Sequence, residues 1–390
     1  MRKLLFLSML FLQTIYTQAQ EEYVHQVLVL NEGYFDYTNQ QIIEPVTIGS
    51  YNPISKIYTE VAVIDSARFA SDMIIDNGYF YVAADNKILK YDLNNYVLLE
   101  EVTVQGVRNL AIFGDNLFVT RGEYMVTFDS YLQVYDKDDL SFVTEYDTIN
   151  GPKWAAQDML IDNNILYVAI NNGFQWGNEK GFIGCLDLSN MLYLNEIDLG
   201  VEGKNPDNIM IDGDIIYTIN NKDWSGMSIS EFNITTTLTT TTNITSVSTG
   251  CGTSCIRNGN VSYQVSGDTE LYEWNGTYSS PIGMSNSFYS LAPDNINNLL
   301  YASSTDWFSY GEIFVYDSDN VLIETFSCGV SPGDIEFDLR TATTGVHSLV
   351  FEDQGSSTIL YDLFGRVINS KNIKTNSIYI KDNQQFYILK

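Results

Sequence analysis

Short apolar segments alternate with polar turns along most of the chain, and one strand–turn–strand unit recurs. Its clearest copy spans residues 161–169, where β-branched and aromatic residues flank the turn Asp162-Asn163-Asn164. Similar copies span 75–83 and 211–218, and weaker ones span 113–119, 257–263 and 294–301. Asn, Asp and Gly tolerate the positive φ of tight hairpin turns. The pattern therefore predicts hairpins that return every ~36 to 50 residues, which is typical of a repeat architecture.

A small polar residue stands at the start of each first strand of the repeat. These residues are Asp72, Asn109, Asp158, Asn208, Ser254, Ser290 and Asp334. The segment at Asp334 has no partner strands after it, whereas residues 26–33 form an unpaired strand pattern near the other end of the chain. Pairing the two ends would close a ring of sheets and protect their edges.

We therefore predict an all-β fold: a seven-bladed β-propeller over residues 24–340, closed by its N- and C-terminal strands. The first blade is expected from residues 26–64 and 332–338. The Thr-rich run 235–242 falls where a fourth, outer strand is expected; threonine suits an edge strand, and disorder is the alternative. No helical period of useful length appears in the mature chain. Residues 346–390 have a strand rhythm of their own and predict a small C-terminal β domain.

The N-terminus reads as an export signal. Arg2 and Lys3 precede an apolar run over residues 4–15, and Thr17-Gln18-Ala19 offers the small residues that a signal peptidase needs. Residues 1–19 are therefore expected to be removed, and without a cysteine at the cleavage point a lipoprotein is not expected. The net charge of −29 argues against nucleic acid and anionic membrane surfaces as partners.

The four cysteines leave two alternatives open. Cys251 and Cys255 can close a local disulfide in an exported protein, or they can be two separate buried thiols. A zinc site is not expected, because the chain has only His25 and His347 and no second closely spaced cysteine pair. We predict no metal and no cofactor.

Aromatic residues concentrate in the loops expected to join second and third strands, on one face of the propeller. They are Tyr34, Phe35, Tyr124, Phe174, Trp176, Trp224, Trp307, Phe308 and Tyr310. Large apolar side chains on one rim need a partner or a local packing reason. We predict a stacking surface for a ring-shaped ligand, a sugar or a peptide. The alternative is that each aromatic residue caps its own blade against the next.

The small polar residues at the strand starts are expected to line the channel mouth on that same face. Their oxygens can hold a cation or water, or they can bond the backbone of their own turn, which is the commoner arrangement. Catalysis has little support, because His25 is the only histidine near the propeller. A calcium-dependent, lactonase-like hydrolase would need Glu, Asn and Asp at the channel mouth, and no Glu is expected there. We predict a non-enzyme with no catalytic residues.

Two resemblances add to these predictions. The opening Val29-Leu30-Asn31-Glu32-Gly33 and the turn–Tyr–Val repeats resemble YncE-like seven-bladed propellers of exported bacterial proteins. They look most like the Bacteroidetes branch that includes BtuG-like surface proteins. That resemblance implies capture of a cobamide-like small-molecule nutrient for an outer-membrane receptor. A protein- or glycan-binding adhesion module is the alternative.

The tail resembles a type IX secretion C-terminal sorting domain. The residues that carry this resemblance are Tyr361-Asp362-Leu363-Phe364-Gly365-Arg366-Val367, Ile378-Tyr379-Ile380 and Lys390. It implies that the type IX secretion machinery is a partner, and that the protein is released or held at the cell surface, outside the outer membrane.

Overall fold

The computed structural model describes residues 22–245, 247 and 254–341, together with four short C-terminal strands. The first fifteen strands are β1 (Glu22–Asn31), β2 (Tyr34–Asp36), β3 (Gln41–Glu44), β4 (Val46–Asn52), β5 (Ile57–Ile64), β6 (Ala70–Asp76), β7 (Tyr79–Ala84), β8 (Lys87–Asp92), β9 (Leu98–Thr103), β10 (Val107–Phe113), β11 (Asn116–Arg121), β12 (Ser130–Asp136), β13 (Phe142–Asp147), β14 (Ala156–Asp162) and β15 (Ile165–Ile170). The next fifteen are β16 (Phe182–Asp187), β17 (Leu192–Asp198), β18 (Pro206–Asp212), β19 (Ile215–Asn220), β20 (Met227–Asn233), β21 (Leu238–Thr245), β22 (Ser254–Arg257), β23 (Asn260–Gln264), β24 (Glu270–Trp274), β25 (Ser279–Ser285), β26 (Leu291–Asp294), β27 (Leu299–Ser304), β28 (Tyr310–Tyr316), β29 (Leu322–Val330) and β30 (Pro332–Thr341).

These strands form seven four-stranded sheets, the blades of a β-propeller. Blade 1 has the order β30-β1-β4-β5, so strands from the two ends of the propeller share one sheet. Blades 2 to 7 each use four consecutive strands, from β6–β9 to β26–β29. The predicted seven-bladed fold and its closure are confirmed. One detail differs, because Tyr34 and Phe35 lie in an added hairpin, β2–β3, rather than in a plain loop.

The hydrophobic core is divided into clusters that lie between consecutive blades. Leu28 and Ile48 of blade 1 pack with Met73 and Phe80 of blade 2. At the closing interface, Val27 of blade 1 lies in one cluster with apolar residues of blade 7 and of β30. The other five interfaces each have a cluster of the same kind. Every blade thus buries both faces against its neighbours, which holds the ring together.

The recurring turns have the backbone that their sequences predict. Asn163 and Asn164 join β14 to β15 with φ of 46° and 63°, and Gly78 and Gly213 occupy the matching turns with φ of 87° and 54°. The Thr-rich run lies mostly in β21, the outer strand of blade 5, as predicted. No α-helix occurs among the described residues, and therefore no helix there is long and apolar enough to cross a membrane.

Contacts divide the chain into two compact units, one of which is the propeller, Val24–Leu339. The other includes four short strands, β31 (Leu360–Tyr361), β32 (Val367–Ile368), β33 (Ser377–Lys381) and β34 (Gln384–Ile388), in the sheet order β32-β31-β33-β34. The predicted signal peptide, Cys251, His347 and most of the tail motif lie outside the described residues. Cys185, Cys255 and Cys328 are buried free thiols.

Candidate functional site

A cavity of about 540 Å³ lies at the mouth of the central channel. Its floor is made by the residues at the starts of the first strands, including Asp72, Asn109, Asp158, Asn208, Ser254, Ser290 and Asp334. The structure thus brings every residue of the predicted ring together in one place. Cavities of ~300 to 1,000 Å³ are typical of small-molecule sites.

A β-bulge at the start of the first strands turns two consecutive side chains toward the cavity. The register shifts between Ala70 and Asp72 in blade 2, and between Ala156 and Met159 in blade 4. Blades 3 and 5 have the same shift. In a regular strand consecutive side chains point to opposite faces, and a bulge re-aims one of them. As a result, Arg108, Gln157 and Asp207, each one residue before a ring position, also line the cavity.

The ring aspartates connect neighbouring blades. Asp334 accepts a hydrogen bond from the backbone N–H of Met73 at 2.8 Å, and Asp72 accepts one from that of Leu110 at 2.6 Å. Asp158 accepts one from Ile209 N–H at 2.9 Å. In each case the donor belongs to the next blade. Asp158 and Asp334 also accept from the backbone N–H of the residue that follows each of them, so the expected bonding to the local backbone occurs together with a bond to the neighbouring blade.

Two amides of this region contain buried polar atoms that no hydrogen bond satisfies. They are Oδ1 of Asn109 and Nδ2 of Asn205, and both residues line the cavity. Asn205 is only 1% exposed. Buried polar atoms nearly always have a partner, so each such atom calls for an explanation.

Three of the nine predicted aromatic residues line the cavity: Phe174, Trp224 and Trp307. Phe174 packs in a small cluster with Phe128 between blades 3 and 4, so the blade-capping alternative also holds for it. The other six stand outside the cavity. They are Tyr34, Phe35, Tyr124, Trp176, Phe308 and Tyr310.

Four of the six outer aromatic residues pack in pairs. Tyr124 and Trp176 meet edge to face, with ring centroids 6.0 Å apart. Tyr34 and Phe308 meet in the same way at 5.1 Å. Trp176 is 75% exposed, against 43% for Trp224 and 45% for Trp307. The three tryptophans occupy equivalent loops, but only two of them share the cavity.

Both cavity tryptophans have a left-handed backbone. The φ angles of Trp224 and Trp307 are 64° and 72°. A bulky residue rarely adopts this conformation, and it costs of order 1–3 kcal/mol that the surrounding structure must offset. Asp306, which precedes Trp307, accepts hydrogen bonds from the N–H groups of the next two residues, Phe308 and Ser309. Other turns place bulky residues such as Leu140 and Met191 in the same backbone, and at Trp224 and Trp307 it carries side chains that line the cavity.

Each of these tryptophans is linked to a carboxylate. Trp307 contacts Tyr289, with ring centroids 4.4 Å apart, and the Tyr289 hydroxyl donates to Glu32. Across the ring, the backbone N–H of Trp224 donates to the backbone carbonyl of Asn221 at 2.8 Å. Asn221 Nδ2 donates in turn to Asp207 at 3.2 Å. The cavity thus has two carboxylate–tryptophan groups, one at blades 7 and 1 and one at blade 5.

The electrostatics are dominated by buried carboxylates. Burial raises the pKa of Glu32 to about 7 and that of Asp158 to about 7. Burial also raises the pKa of Asp207 and of Asp334 to about 6. Asp72 has a raised pKa for the same reason, with a further rise from the nearby charge of Asp334.

Arg108 is the only cationic side chain among the lining residues. Its guanidinium lies over the Phe174 ring, 5.0 Å from the centroid, and its Nε donates to Gln157 at 3.3 Å. The charge of Arg108 lowers the pKa values of Glu32 and Asp207, but burial outweighs this effect. Across the described residues, no group of three or more His, Cys, Asp or Glu side chains is arranged to hold a metal ion.

Several lining residues were not predicted from the sequence. Glu32 was expected to be absent from the channel mouth, but it lies there because the closing strand β1 ends beside Gly333. Any side chain at position 333 would collide with the Glu32 carboxylate. Arg108 and Asp207 were missed because strict alternation was assumed. A signal did exist: apolar residues three apart enclose two polar ones, as in Ala70 to Met73, Val107 to Leu110 and Pro206 to Ile209.

Solved structures with a similar fold are propellers of varied description. A hypothetical selenium-binding protein from Sulfolobus tokodaii superposes with a TM-score of 0.59 at 11% identity, over 84% of this chain and 94% of that one. A proposed 6-phosphogluconolactonase from Bacteroides uniformis gives 0.57 at 12% identity, over 80% and 99%. A quinonprotein alcohol dehydrogenase-like protein from Bacteroides thetaiotaomicron gives 0.52 at 13%, over 81% and 79%. Such identities establish the fold alone. No family model matches the sequence, and no curated protein matches it.

Proposed function

We propose that this chain is an exported, non-catalytic propeller that captures a small molecule at the mouth of its central channel. The observation that carries the proposal is the pair Trp224 and Trp307. Two half-exposed indoles, held in strained backbone conformations, face one polar cavity of small-molecule size. Strain of this kind persists where the surrounding structure enforces it, which is common at ligand sites.

The absence of catalysis is part of this proposal. His25 does not line the cavity, and the ring aspartates already accept backbone hydrogen bonds from the next blade. A carboxylate committed to joining blades is poorly placed to move during a reaction. The presence of Glu32 keeps a lactonase-like hydrolase as the competing function, and lactone turnover that is lost in Glu32→Gln would favour it.

The finer proposal, a cobamide-like nutrient handed to an outer-membrane receptor, rests on the resemblance of the opening residues 29–33. A cobamide is larger than this cavity, so its ring would cover the mouth and lie against Trp224 and Trp307. Export through the signal peptide and the type IX route is likewise proposed from residues 1–19 and from the tail.

The test is calorimetric titration with a panel of small molecules that includes cobalamin. For any ligand that binds, Trp224→Ala and Trp307→Ala should each weaken binding about tenfold or more, since loss of an aromatic stacking contact costs roughly 1–3 kcal/mol. Trp176→Ala is the matched control, because it removes a tryptophan from the equivalent loop of blade 4 outside the cavity.

A different outcome would redirect the proposal. If Trp176→Ala abolishes binding while the two cavity variants leave it unchanged, the ligand lies on the outer aromatic rim. That result would favour the glycan- or protein-binding module, for which the exposed Tyr124–Trp176 pair is the supporting observation. If no member of the panel binds to the folded protein, small-molecule capture is contradicted.

A further inference from the structure

The charge balance of the cavity indicates what kind of ligand fits it. Its lining residues include five carboxylates and one guanidinium. The carboxylates are Glu32, Asp72, Asp158, Asp207 and Asp334. Three of them are held by backbone N–H groups of the next blade. Glu32 and Asp207 are not, and their described partners are the side chains of Tyr289 and Asn221. A carboxylate has about four lone-pair sites, so both can accept further donors.

Both carboxylates share the cavity with aromatic side chains. Glu32 accepts from Tyr289, whose ring contacts Trp307. Asp207 accepts from Asn221, whose backbone carbonyl binds the backbone N–H of Trp224, and the Trp224 side chain lines the same cavity. An aromatic face attracts a cation because its quadrupole is negative, and the attraction is strongest when the site excludes water. Carboxylates and indoles that line one cavity therefore favour an ammonium group, whose charge in turn favours the ionised form of the carboxylate.

A second observation, independent of the charges, also indicates a ligand. Asn205 is 1% exposed and lines the cavity, yet its Nδ2 has no partner; Oδ1 of Asn109 is likewise unsatisfied. The Asn109 oxygen can accept from an ammonium N–H or from a hydroxyl, and the Asn205 amide can donate to a ligand oxygen. Both atoms would be satisfied by a molecule that carries the two groups together.

From these observations we infer that the ligand is a hydroxylated organic cation, a molecule with an ammonium group and at least one hydroxyl. Its ammonium binds at Glu32 or Asp207, against the tryptophan of that group, and its hydroxyl reaches the amides. This inference rests on the proposed function and specifies the class of molecule that the cavity takes. Arg108 lowers the affinity for such a ligand, because the positive charge of its guanidinium repels the ammonium group.

The experiment compares each cationic ligand with a neutral analogue of similar shape. Glucosamine is compared with glucose, and choline with its neutral carbon isostere dimethylbutanol, by calorimetric titration of the full chain. At least one cation is expected to bind about tenfold or more tightly than its neutral partner, which is ~1.4 kcal/mol. If neither cation is preferred over its neutral partner, the inference is overturned.

Three variants separate charge from general damage to the site. Glu32→Gln and Asp207→Asn keep the shape and the hydrogen bonds, and at least one should weaken cation binding about tenfold. Arg108→Gln should strengthen it, whereas an anionic ligand would show the reverse. Glu123→Gln is the control, because this carboxylate sits in the β11–β12 loop without lining the cavity. Thermal unfolding of each variant confirms that it is folded.

The two proposals fail in different ways. If a neutral or anionic molecule binds and responds to Trp224→Ala and Trp307→Ala, small-molecule capture stands and the cationic class is wrong. If the cations bind but Glu32→Gln, Asp207→Asn and Arg108→Gln all leave the affinity unchanged, the cations bind elsewhere, and that outcome also overturns the inference.

Discussion

Trp224 and Trp307 have a backbone conformation that is unfavourable for a bulky residue and that places their indoles at the cavity. A left-handed backbone suits glycine or asparagine, and the recurring hairpin turns of this chain use those residues. Trp224 and Trp307 adopt it although their side chains gain little burial in return. Hydrogen bonds of the two turns hold this backbone, from Trp224 N–H to the Asn221 carbonyl and from Trp307 N–H to Thr305 Oγ1, and the result is that both indoles line the cavity.

The strain at Trp224 can be measured by a pair of substitutions. Trp224→Ala and Trp224→Gly both remove the indole, but only glycine removes the cost of a β-carbon at positive φ. We expect Trp224→Gly to have a free energy of unfolding higher than Trp224→Ala by about 1 kcal/mol. Chemical denaturation of the two variants measures the difference. Equal stabilities would mean that the backbone at Trp224 is not strained.

At the scale of the element, the first strand in each of blades 2 to 5 positions two side chains through one bulge. The bulge aims one side chain, such as Asp158, at the next blade, and turns its predecessor, Gln157, toward the cavity. The same device recurs in blades 2, 3 and 5 with different residues. The scaffold is therefore constant, while the chemistry of the cavity is set by the residue before each ring position.

This division explains what the sequence could reveal. Strands, turns and ring closure were predictable because period-two patterns and Asn-Gly turns are local signals, and the segment at Asp334 visibly lacked partners. The ring residues were predictable for the same reason. Glu32 and Asp207 were not, because their place in the cavity depends on closure geometry and on a bulge. Nor could the sequence separate Trp176 from Trp224, since both occupy the same loop type and differ only in how that loop folds.

The ring aspartates that connect neighbouring blades make the stability of the propeller depend on pH. Burial raises the pKa of Asp158 to about 7, whereas an unfolded Asp titrates near ~4. The folded state therefore binds a proton between these values that the unfolded state releases. The stability from this group is fully present below pH ~4 and is lost as the pH rises through about 7. Asp334 and Asp72 act in the same direction.

We expect the melting temperature to fall as the pH rises from about 5 to about 8, and to fall less in Asp158→Asn. Asparagine is tolerated at this position, since Asn208 takes the equivalent place in blade 5 and donates to Ser254 at 2.8 Å. Asp319→Asn, in an exposed turn, makes the same change in net charge and is the control. If Asp158→Asn and Asp319→Asn have the same pH dependence, the raised pKa of Asp158 is not what couples stability to pH.

At the scale of the whole molecule, closure is what creates the site. Glu32 follows the strand β1 that pairs with β30 in the closing blade, Trp307 lies in blade 7, and Asp207 and Trp224 lie in blade 5. Asp207 and Trp224 share blade 5, but the cavity that they line is completed by residues of blades 1 and 7. The ring brings these residues to one channel mouth. A ligand in the cavity should therefore change the environment of residues that are far apart in the sequence at the same time.

Fluorine NMR of the protein labelled with fluorotryptophan tests this most directly. The chain has five tryptophans, so five resonances are expected, each assigned by substitution. On titration with glucosamine, choline or cobalamin, we predict that Trp224 and Trp307 shift together with one dissociation constant, while Trp154, Trp176 and Trp274 stay in place. A shift confined to Trp176, or shifts of Trp224 and Trp307 with unrelated dissociation constants, would contradict a single site at the channel mouth.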